Sequence, residues 1–319
     1  MSASPSFTVA IPTYNGAEHL REAVESAKNQ EGIDLAFVLS DDRSEDDTIA
    51  IAREVLGDRL KITINSERLG LAGNWNQCAR LSQTPLIAIL HQDDILLKNH
   101  LANHFAAFQK DPRIGLCAGA SRVIDHAGDP VPESIVGVGG LGLENRIFQA
   151  GELLPLMTEG NPFRCSAVSL RRLAFEKIGG FDPRLKYVVD WDFWIKIART
   201  NAVAWLAEPT VLIRWHLQSE THRFANGTLD LEESAQLMNG LLDELGGETE
   251  VLKALRFRAS RTLGRAYLNR AYLAAKSSNA LLAKRSISKS WQLDRRGLLK
   301  QLATDPALAA RLLSTILFK

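Results

Sequence analysis

The stretch LIAILHQDD, residues Leu86–Asp94, decides the fold expected for this chain. Its five consecutive apolar residues predict a fully buried strand of a parallel sheet. The strand ends in a histidine and two carboxylates, and open α/β sheets bind ligands just beyond the carboxyl ends of their strands. A carboxylate pair there is typical of a divalent-cation site that also holds a phosphate-bearing ligand. The alternative, which the stretch alone leaves open, is that Asp93 and Asp94 cap the next predicted helix, Lys98–Phe108.

Similar apolar runs occur three more times in the residues before this stretch. They alternate with segments whose apolar residues have helical spacing, such as Leu20, Ala23, Val24 and Ala27. This alternation predicts an α/β fold in which helices flank a doubly wound, mainly parallel sheet. The four predicted strands are Phe7–Ile11, Leu35–Leu39, Leu60–Ile64 and Leu86–Leu90.

Polar residues follow three of these strands, at Tyr14–Asn15, Asp41–Asp42 and Asp93–Asp94. The carboxyl ends of strands in one parallel sheet lie at one edge, so we expect the three clusters to converge on one crevice. No P-loop and no Gly-x-Gly-x-x-Gly follows the first strand, so neither standard phosphate cradle is present. A nucleotide held in this crevice would therefore need help from a metal ion.

Length and composition indicate an ordinary globular protein of the cytoplasm. The 319 residues suffice for one large α/β domain and an appendage, and 45% are hydrophobic and 24% charged. No apolar run approaches the roughly 20 residues of a membrane-spanning helix, and Met1–Ser6 lacks the pattern of a signal peptide. Cys78, Cys117 and Cys165 lie far apart in apolar segments, which predicts buried free thiols in a reducing compartment.

Two further polar residues stand at the ends of predicted elements. Asp190 lies at the entrance of a helix predicted within Val188–Ala198. A helix N-cap is the commoner use of such an aspartate, although a capping carboxylate can also face a cleft. His216 follows a strand predicted at Val211–Trp215, just as the other polar clusters follow theirs.

Charge is distributed unevenly along the chain. Residues 251–319 contain 15 basic and two acidic residues, a net charge of +13, which leaves −12 for residues 1–250. From about Leu229 onward the pattern predicts only helices. Their basic faces suit an anionic lipid surface, or they are simply solvated or docked on the acidic part of the chain. The tail has no recognisable nucleic-acid motif, so nucleic acid is not an expected partner.

The ordered set of motifs resembles the family 2 glycosyltransferases, which have the GT-A fold. The resemblance runs from Phe7 to about Thr221, roughly two-thirds of the sequence. It implies a transferase domain at 1–228, with a nucleotide half at about 1–120 and an acceptor half at about 121–228, and a basic helical extension at 229–319. The motifs are Ile11–Asn15, Asp41–Thr48, Leu90–Asp94, Gly179–Asp182 and Asp190–Trp194.

The resemblance implies a role for individual residues of the nucleotide half. Tyr14 and either Asp41 or Asp42 would hold the nucleobase by packing and by accepting an imide N–H, which points to uracil or thymine. Asp93 would contact the ribose. The implied nucleotide-binding residues are Pro12, Tyr14, Asn15, Asp41, Asp42 and Asp93.

The resemblance also implies the metal site and the catalytic base. Asp94 would ligate Mn²⁺ or Mg²⁺ that bridges the diphosphate, His216 is a weaker metal or phosphate candidate, and Asp190 would be the general base. Two positions depart from the family pattern. His91 replaces the first aspartate of the Asp-x-Asp motif, and Val189 replaces the acid that usually precedes the base.

The function implied is inverting, metal-dependent transfer of a hexosyl or deoxyhexosyl group from a UDP- or dTDP-sugar. The acceptor would be a hydroxyl of a glycan or a lipid-linked acceptor in cell-surface polysaccharide synthesis, and the basic tail would suit the inner face of the plasma membrane. One alternative is a catalytically silent sugar-nucleotide-binding or scaffold protein. Another is a sugar-1-phosphate nucleotidyltransferase, although Pro12–Gly16 is not the Gly-rich, basic phosphate loop that such an enzyme carries.

Overall fold

The computed structural model describes residues 6–132, 141–216 and 220–317. The chain forms two compact units: the first comprises Met1–Leu154 and Asn161–His216, and the second comprises Pro155–Gly160 and Leu217–Lys319. The domain boundary expected after residue 228 stays a prediction.

The described residues of the first unit supply ten strands and most of the shorter helices. The strands are β1 Phe7–Thr13, β2 Leu35–Asp41, β3 Leu60–Ile64, β4 Leu86–Ile89, β5 Ile95–Leu96, β6 Ile114–Ile124, β7 Pro130–Val131, β8 Arg146–Phe148, β9 Val168–Arg171 and β10 Ala202–Arg214. The helices up to residue 200 are α1 Ala17–Lys28, α2 Thr48–Leu56, α3 Gly70–Leu81, α4 His100–Lys110, α5 Leu154–Met157, α6 Arg172–Ile178 and α7 Val189–Thr200.

All ten strands belong to one sheet, in the order β3-β2-β1-β4-β9-β6-β10-β5, with β7 beside β6 and β8 beside β10. Strands β3, β2, β1 and β4 are mutually parallel, and β6 is parallel to β10. Four short strands run antiparallel to their neighbours: β5, β7 and β8, and also β9, which lies inside the sheet between β4 and β6. The sheet is therefore mainly parallel with helices around it, as the alternation of apolar runs and helical segments predicts.

The central strand β1 is buried along its whole length. Phe7, Val9 and Ile11 belong to the same apolar cluster as Leu20 and Val24 of α1, which confirms the helical spacing expected there. Burying the apolar side chains of a strand and its covering helix contributes about 1.5–3 kcal/mol for each large residue. This packing fixes the carboxyl end of β1 beside those of β2 and β4.

Strand β9 differs from the sequence expectation in length and in direction. The sequence pattern of Phe163–Leu170 predicts a strand. In the structure Cys165–Ala167 form a 3-10 turn, and pairing begins only at Val168. The strand then runs antiparallel to both β4 and β6. Its amino end therefore meets the carboxyl end of β4, which brings the preceding turn to the edge where the polar clusters lie.

Strand β10 is longer than expected, because it begins at Ala202 rather than at Val211. The pairing of β10 with β6 shifts register between Leu206 and Val211. Pro209 lies in this interval, where proline and the register shift interrupt the regular ladder. Polar residues and a proline at the bulge interrupt the run of apolar residues, so the apolar pattern does not predict the first half of the strand.

The described part of the second unit is helical. The sequence pattern predicts separate helices at Ala280–Leu293 and Arg296–Ala303. The structure joins them into one segment with a non-helical residue, Asp294, between them. None of the helices in the described ranges is both long and apolar enough to cross a bilayer. The helices are α8 Glu220–Arg223, α9 Leu229–Leu245, α10 Glu250–Lys276, α11 Ala280–Thr304 and α12 Pro306–Leu317.

A buried ion pair joins α10 to the start of α9. Arg270 Nη2 donates to Asp230 Oδ2 (2.6 Å), and both side chains are buried. Arg270 Nη1 also donates to the carbonyls of Phe224 and Gly227. Removing one partner of such a pair leaves the other charge buried and uncompensated.

We expect Arg270→Met to lower the free energy of unfolding by about 3–5 kcal/mol, since Asp230 loses its countercharge. The matched control is Arg256→Met, because Arg256 makes an exposed pair with Asp243 and an exposed pair contributes about 0–1 kcal/mol. Chemical denaturation followed by circular dichroism measures both changes. Equal, small effects of the two substitutions would contradict the expectation.

Candidate active site

The loop after β1 and the turn after β4 are joined at the carboxyl edge of the sheet. The Tyr14 N–H donates to Gln92 Oε1 (2.9 Å), and Gln92 Nε2 donates to the Tyr14 carbonyl (3.0 Å). Gly16 allows this approach, because a Cβ atom there would collide with the Gln92 side chain. Thr13 Oγ1 donates to Asp41 Oδ1 (2.8 Å) at the end of β2. The structure thus brings the predicted polar clusters to one edge.

Asp41 and Asp42 are both buried, but their carboxylates accept different numbers of hydrogen bonds. Asp41 accepts three, one from Thr13 and two from Ser44. Asp42 accepts four, all from the segment 65–70. An ionised carboxylate has about four acceptor sites. Asp42 is therefore saturated by the protein, whereas Asp41 Oδ2 retains an acceptor site.

The other nucleotide-binding residues predicted at the end of β1 and in the loop after it have distinct surroundings. Tyr14 is 37% exposed, and the Arg68 guanidinium lies 3.3 Å from the centroid of its ring. Asn15 has a left-handed backbone (φ +46°), and its side-chain oxygen accepts the N–H of Glu45. Pro12 is buried within β1. Of these three, only Tyr14 presents a ring surface that a nucleobase could contact.

Asp94 is the most buried carboxylate of the turn after β4, with 3% of its surface exposed. Its Oδ1 accepts the backbone N–H of Arg214 (2.9 Å), and its Oδ2 accepts the hydroxyl of Ser166 (2.5 Å). The capping alternative is wrong, because the N-cap of α4 is Asn99 and no side chain bonds there. Asp94 instead belongs to the carboxyl edge of the sheet.

His91, Asp93 and Asp94 form a possible cation site, in which one ligand atom from each lies within 4.8 Å of the others. Burial and the charge of Asp93 raise the pKa of Asp94 to about 8. Burial also opposes ionisation of Asp93, but the hydrogen bond from His216 and the nearby His91 outweigh it and lower its pKa. The two carboxylates suit Mn²⁺ or Mg²⁺, and a cation would compensate the second negative charge.

His216 lies beside this group and contacts Asp93 rather than Asp94. His216 Nε2 donates to Asp93 Oδ2 (2.9 Å), and this bond raises the pKa of His216. The residue that completes the three-ligand group with the two aspartates is His91, at the position where the family has an aspartate. The roles expected for His216 and the other site residues stay predictions.

Asp190 lies in the first turn of α7 and not at its N-cap, which is Val188. The capping role expected for Asp190 is therefore wrong. Its Oδ1 accepts the N–H of Trp191 (2.8 Å), and its Oδ2 accepts Asn161 Nδ2 (2.8 Å). Burial raises the pKa of this carboxyl group. The Asn161 amide orients the carboxylate, and burial gives it the elevated basicity that a proton acceptor requires.

Sequence patterns missed the residues that hold these carboxylates in place. Ser166 accepts the N–H of His91 (3.0 Å) while it donates to Asp94, and it comes from the turn that precedes β9. Asn161 is separated from Asp190 by 29 residues. Neither residue belongs to a motif. Arg214 had one usable signal, since it is a cation at the end of an apolar strand.

The fold and this edge of the sheet point to the class of glycosyltransferases. The model of "Glycosyl transferase family 2" matches residues 8–179, more than half of the chain. The chain belongs to this family, which confirms the resemblance of its motifs. An uncharacterized protein of Mycobacterium tuberculosis is 31% identical over 228 residues, 69% of this chain and 70% of its own. Chondroitin synthase of Escherichia coli is 26% identical over 198 residues, 62% of this chain and 27% of its own length.

Two solved structures share the fold. TarS of S. aureus (residues 1–349), in complex with UDP-GlcNAc, superposes with a TM-score of 0.62 at 16% identity, over 98% of this chain and 89% of TarS. The mannosyltransferase PcManGT of Pyrobaculum calidifontis, in complex with GDP-Man and Mn²⁺, gives 0.57 at 19% identity, over 100% of this chain and 89% of PcManGT. The expected GT-A type of sheet is thereby confirmed.

We expect Ser166→Ala to weaken metal-dependent nucleotide binding by about 10–100-fold, the usual effect of losing a group that orients a metal ligand. The matched control is Ser169→Ala, which removes another buried hydroxyl of the same segment that bonds His104 instead. Calorimetric titration of nucleotide in the presence of Mn²⁺ measures both affinities. Unchanged affinity in Ser166→Ala, or an equal loss in both variants, would show that Ser166 does not position Asp94.

Proposed function

We propose that this protein is an inverting, metal-dependent glycosyltransferase that uses a UDP- or dTDP-sugar as donor. The acceptor is a hydroxyl group of a glycan or of a lipid-linked acceptor, in the synthesis of a cell-surface polysaccharide. The observation that carries the proposal is the pair Asp93–Asp94 with His91 at the carboxyl end of β4, in which Asp94 is buried. The complexes of TarS with UDP-GlcNAc and of PcManGT with GDP-Man and Mn²⁺ support it for proteins of this fold.

The nucleobase is assigned to the pocket edge formed by Tyr14 and Asp41. Asp41 Oδ2 has an acceptor site left for the imide N–H of uracil or thymine, whereas Asp42 has none. The exposed ring of Tyr14 offers a surface for packing. Asp93, which His216 holds in place, is assigned to the ribose.

The diphosphate is assigned to the cation site. Asp94, with His91 and Asp93, would hold Mn²⁺ or Mg²⁺, and His216 stands beside it as a weaker candidate for metal or phosphate. When bound, such a cation neutralises charge on a departing nucleotide diphosphate. The residues of the protein prepare the site: Ser166 and the Arg214 backbone fix both oxygens of Asp94 before any ligand arrives.

Asp190 is assigned as the general base. Its carboxylate accepts the proton of the acceptor hydroxyl as the oxygen attacks the anomeric carbon from the face opposite the nucleotide. One C–O bond forms while the bond to the diphosphate breaks, so a single displacement inverts the anomeric configuration. Asn161 holds the carboxylate toward this proton, and burial keeps its basicity above that of a solvent-exposed aspartate.

The basic helices are assigned to an anionic membrane surface, which places the enzyme at the cytoplasmic face of the plasma membrane. Residues 251–319 carry the net charge of +13, and exposed apolar side chains such as Phe257, Leu281 and Trp291 lie between the cations. Basic helices with interspersed apolar residues bind anionic lipid through both components. The polymer-forming relative, chondroitin synthase, supports a role in polysaccharide synthesis.

A thermal-shift screen of UDP, dTDP, GDP and CDP, each with and without Mn²⁺, tests the class of donor. We expect stabilisation by UDP or dTDP that requires the metal ion and is absent in Asp94→Asn, because the amide has no negative charge. Selective stabilisation by GDP would replace the proposed donor with a guanine nucleotide. If no nucleotide stabilises the protein, the donor site is not functional and the scaffold alternative takes its place.

For the base, we expect Asp190→Asn to lower kcat by at least ~10²-fold, with donor affinity unchanged. The control is Asp192→Asn, which alters a carboxylate two residues further along α7 that pairs with Lys196. Transfer to the acceptor and donor binding are measured separately. Near-normal turnover in Asp190→Asn would remove this residue from the mechanism.

A further inference from the structure

A second group of metal-binding side chains lies outside the carboxylate site. Glu18 and His19 are in the first turn of α1, and His126 is in the turn between β6 and β7. His126 Nε2 lies 3.3 Å from Glu18 Oε1, and His19 Nε2 lies 3.9 Å from Glu18 Oε2. One ligand atom from each of the three residues lies within 4.8 Å of the others.

His19 is the unusual member of this group. Its side chain is only 11% exposed, and its Nε2 has no hydrogen-bond partner among the described residues. A buried polar atom in this state has lost its hydrogen bonds to water, and a ligand that binds it would compensate for that loss. Burial and the charge of Arg214 lower the pKa of His19, which favours the neutral imidazole that binds metals.

Both sides of the group are held in position by the protein. The Arg214 guanidinium donates to the carbonyls of Asp125 (3.3 Å) and His126 (2.9 Å), which fixes the turn that carries His126. The same guanidinium pairs with Glu22 on α1, one helical turn beyond Glu18. This brings the two elements together before an ion binds, so little conformational entropy remains to be lost.

The donor set differs in chemistry from the site at Asp94. Two imidazole nitrogens and one carboxylate form the His₂Glu set that suits Zn²⁺, with a fourth position left for water. Tetrahedral bonds of about 2.0–2.1 Å place ligand atoms about 3.3–3.4 Å apart. The distance from Glu18 Oε1 to His126 Nε2 already has this value. His19 Nε2 lies 3.9 Å from the other oxygen of the same carboxylate, so a small rotation of the Glu18 side chain is needed for one oxygen to serve both imidazoles.

We propose that Glu18, His19 and His126 form a Zn²⁺ site distinct from the carboxylate cation site. The bound ion ties the amino end of α1 to the turn between β6 and β7. The His19 ring lies 5.4 Å from the ring of His216, which bonds Asp93, so the zinc site borders the donor site. The proposal does not depend on the assigned donor or on catalysis.

The test is titration of Zn²⁺ into tag-free, metal-stripped protein without nucleotide, followed by calorimetry. We expect a Zn²⁺ site that persists in Asp94→Asn, a substitution that removes a ligand of the carboxylate cation site. His126→Ala should weaken it by at least ~100-fold, since losing even an indirect partner of a metal site costs about 10–100-fold. Co²⁺ in place of Zn²⁺ should give the intense visible absorption of a tetrahedral ion, and His126→Ala should abolish it.

Glu18→Ala and Glu25→Ala form the matched pair of controls, because Glu25 is an exposed carboxylate on the same helix outside the cluster. Only Glu18→Ala should weaken binding. His126 is in an exposed turn, so His126→Ala should keep the circular dichroism spectrum of the original protein. No Zn²⁺ binding, binding unaffected by His126→Ala, or binding lost in Asp94→Asn would each overturn the proposal.

Discussion

A buried guanidinium, that of Arg214, is the interaction on which the carboxyl edge of the sheet depends. Its side chain is 2% exposed, so its charge needs acceptors on several sides to remain inside the protein. It finds them in the Asp93 carbonyl, in two carbonyls of the turn between β6 and β7, and in Glu22 of α1. These four acceptors belong to three different parts of the fold. Because the buried charge is stable only when these acceptors surround it, it fixes the relative positions of a strand end, a turn and a helix.

The two carboxylates after β4 are chemically identical, but their surroundings shift their pKa values in opposite directions. Asp93 has His216 and His91 nearby, and its pKa is lowered, whereas Asp94 is enclosed and has a raised pKa. Only one negative charge of the pair is well compensated by the protein. A neighbouring cation is the natural complement of the other. Burial disfavours the negative charge of Asp94, and a divalent ion bound at this turn would stabilise that charge.

The sequence predicts the features that depend on local patterns. Runs such as Leu86–Leu90 identify buried strands because few other structures need five apolar residues in a row. The polar residues that end such runs then indicate the ligand edge. The pattern could not predict that Ser166 would meet Asp94, because 72 residues separate them and the contact depends on the antiparallel direction of β9. Asn161 was missed for the same reason, since its contact with Asp190 arises from tertiary packing.

Asp41 and Asp42 show the limit of a motif for assigning roles. Successive residues at the end of a strand point in opposite directions, so two neighbouring aspartates meet different surroundings. Asp42 turns toward the segment 65–70, whose donors use all of its acceptor sites and make it a structural anchor for that loop. Asp41 turns toward Thr13 and Ser44 and keeps one site. A motif that contains both residues cannot distinguish the anchor from the carboxylate that keeps a free acceptor site, but a count of hydrogen bonds against acceptor sites can.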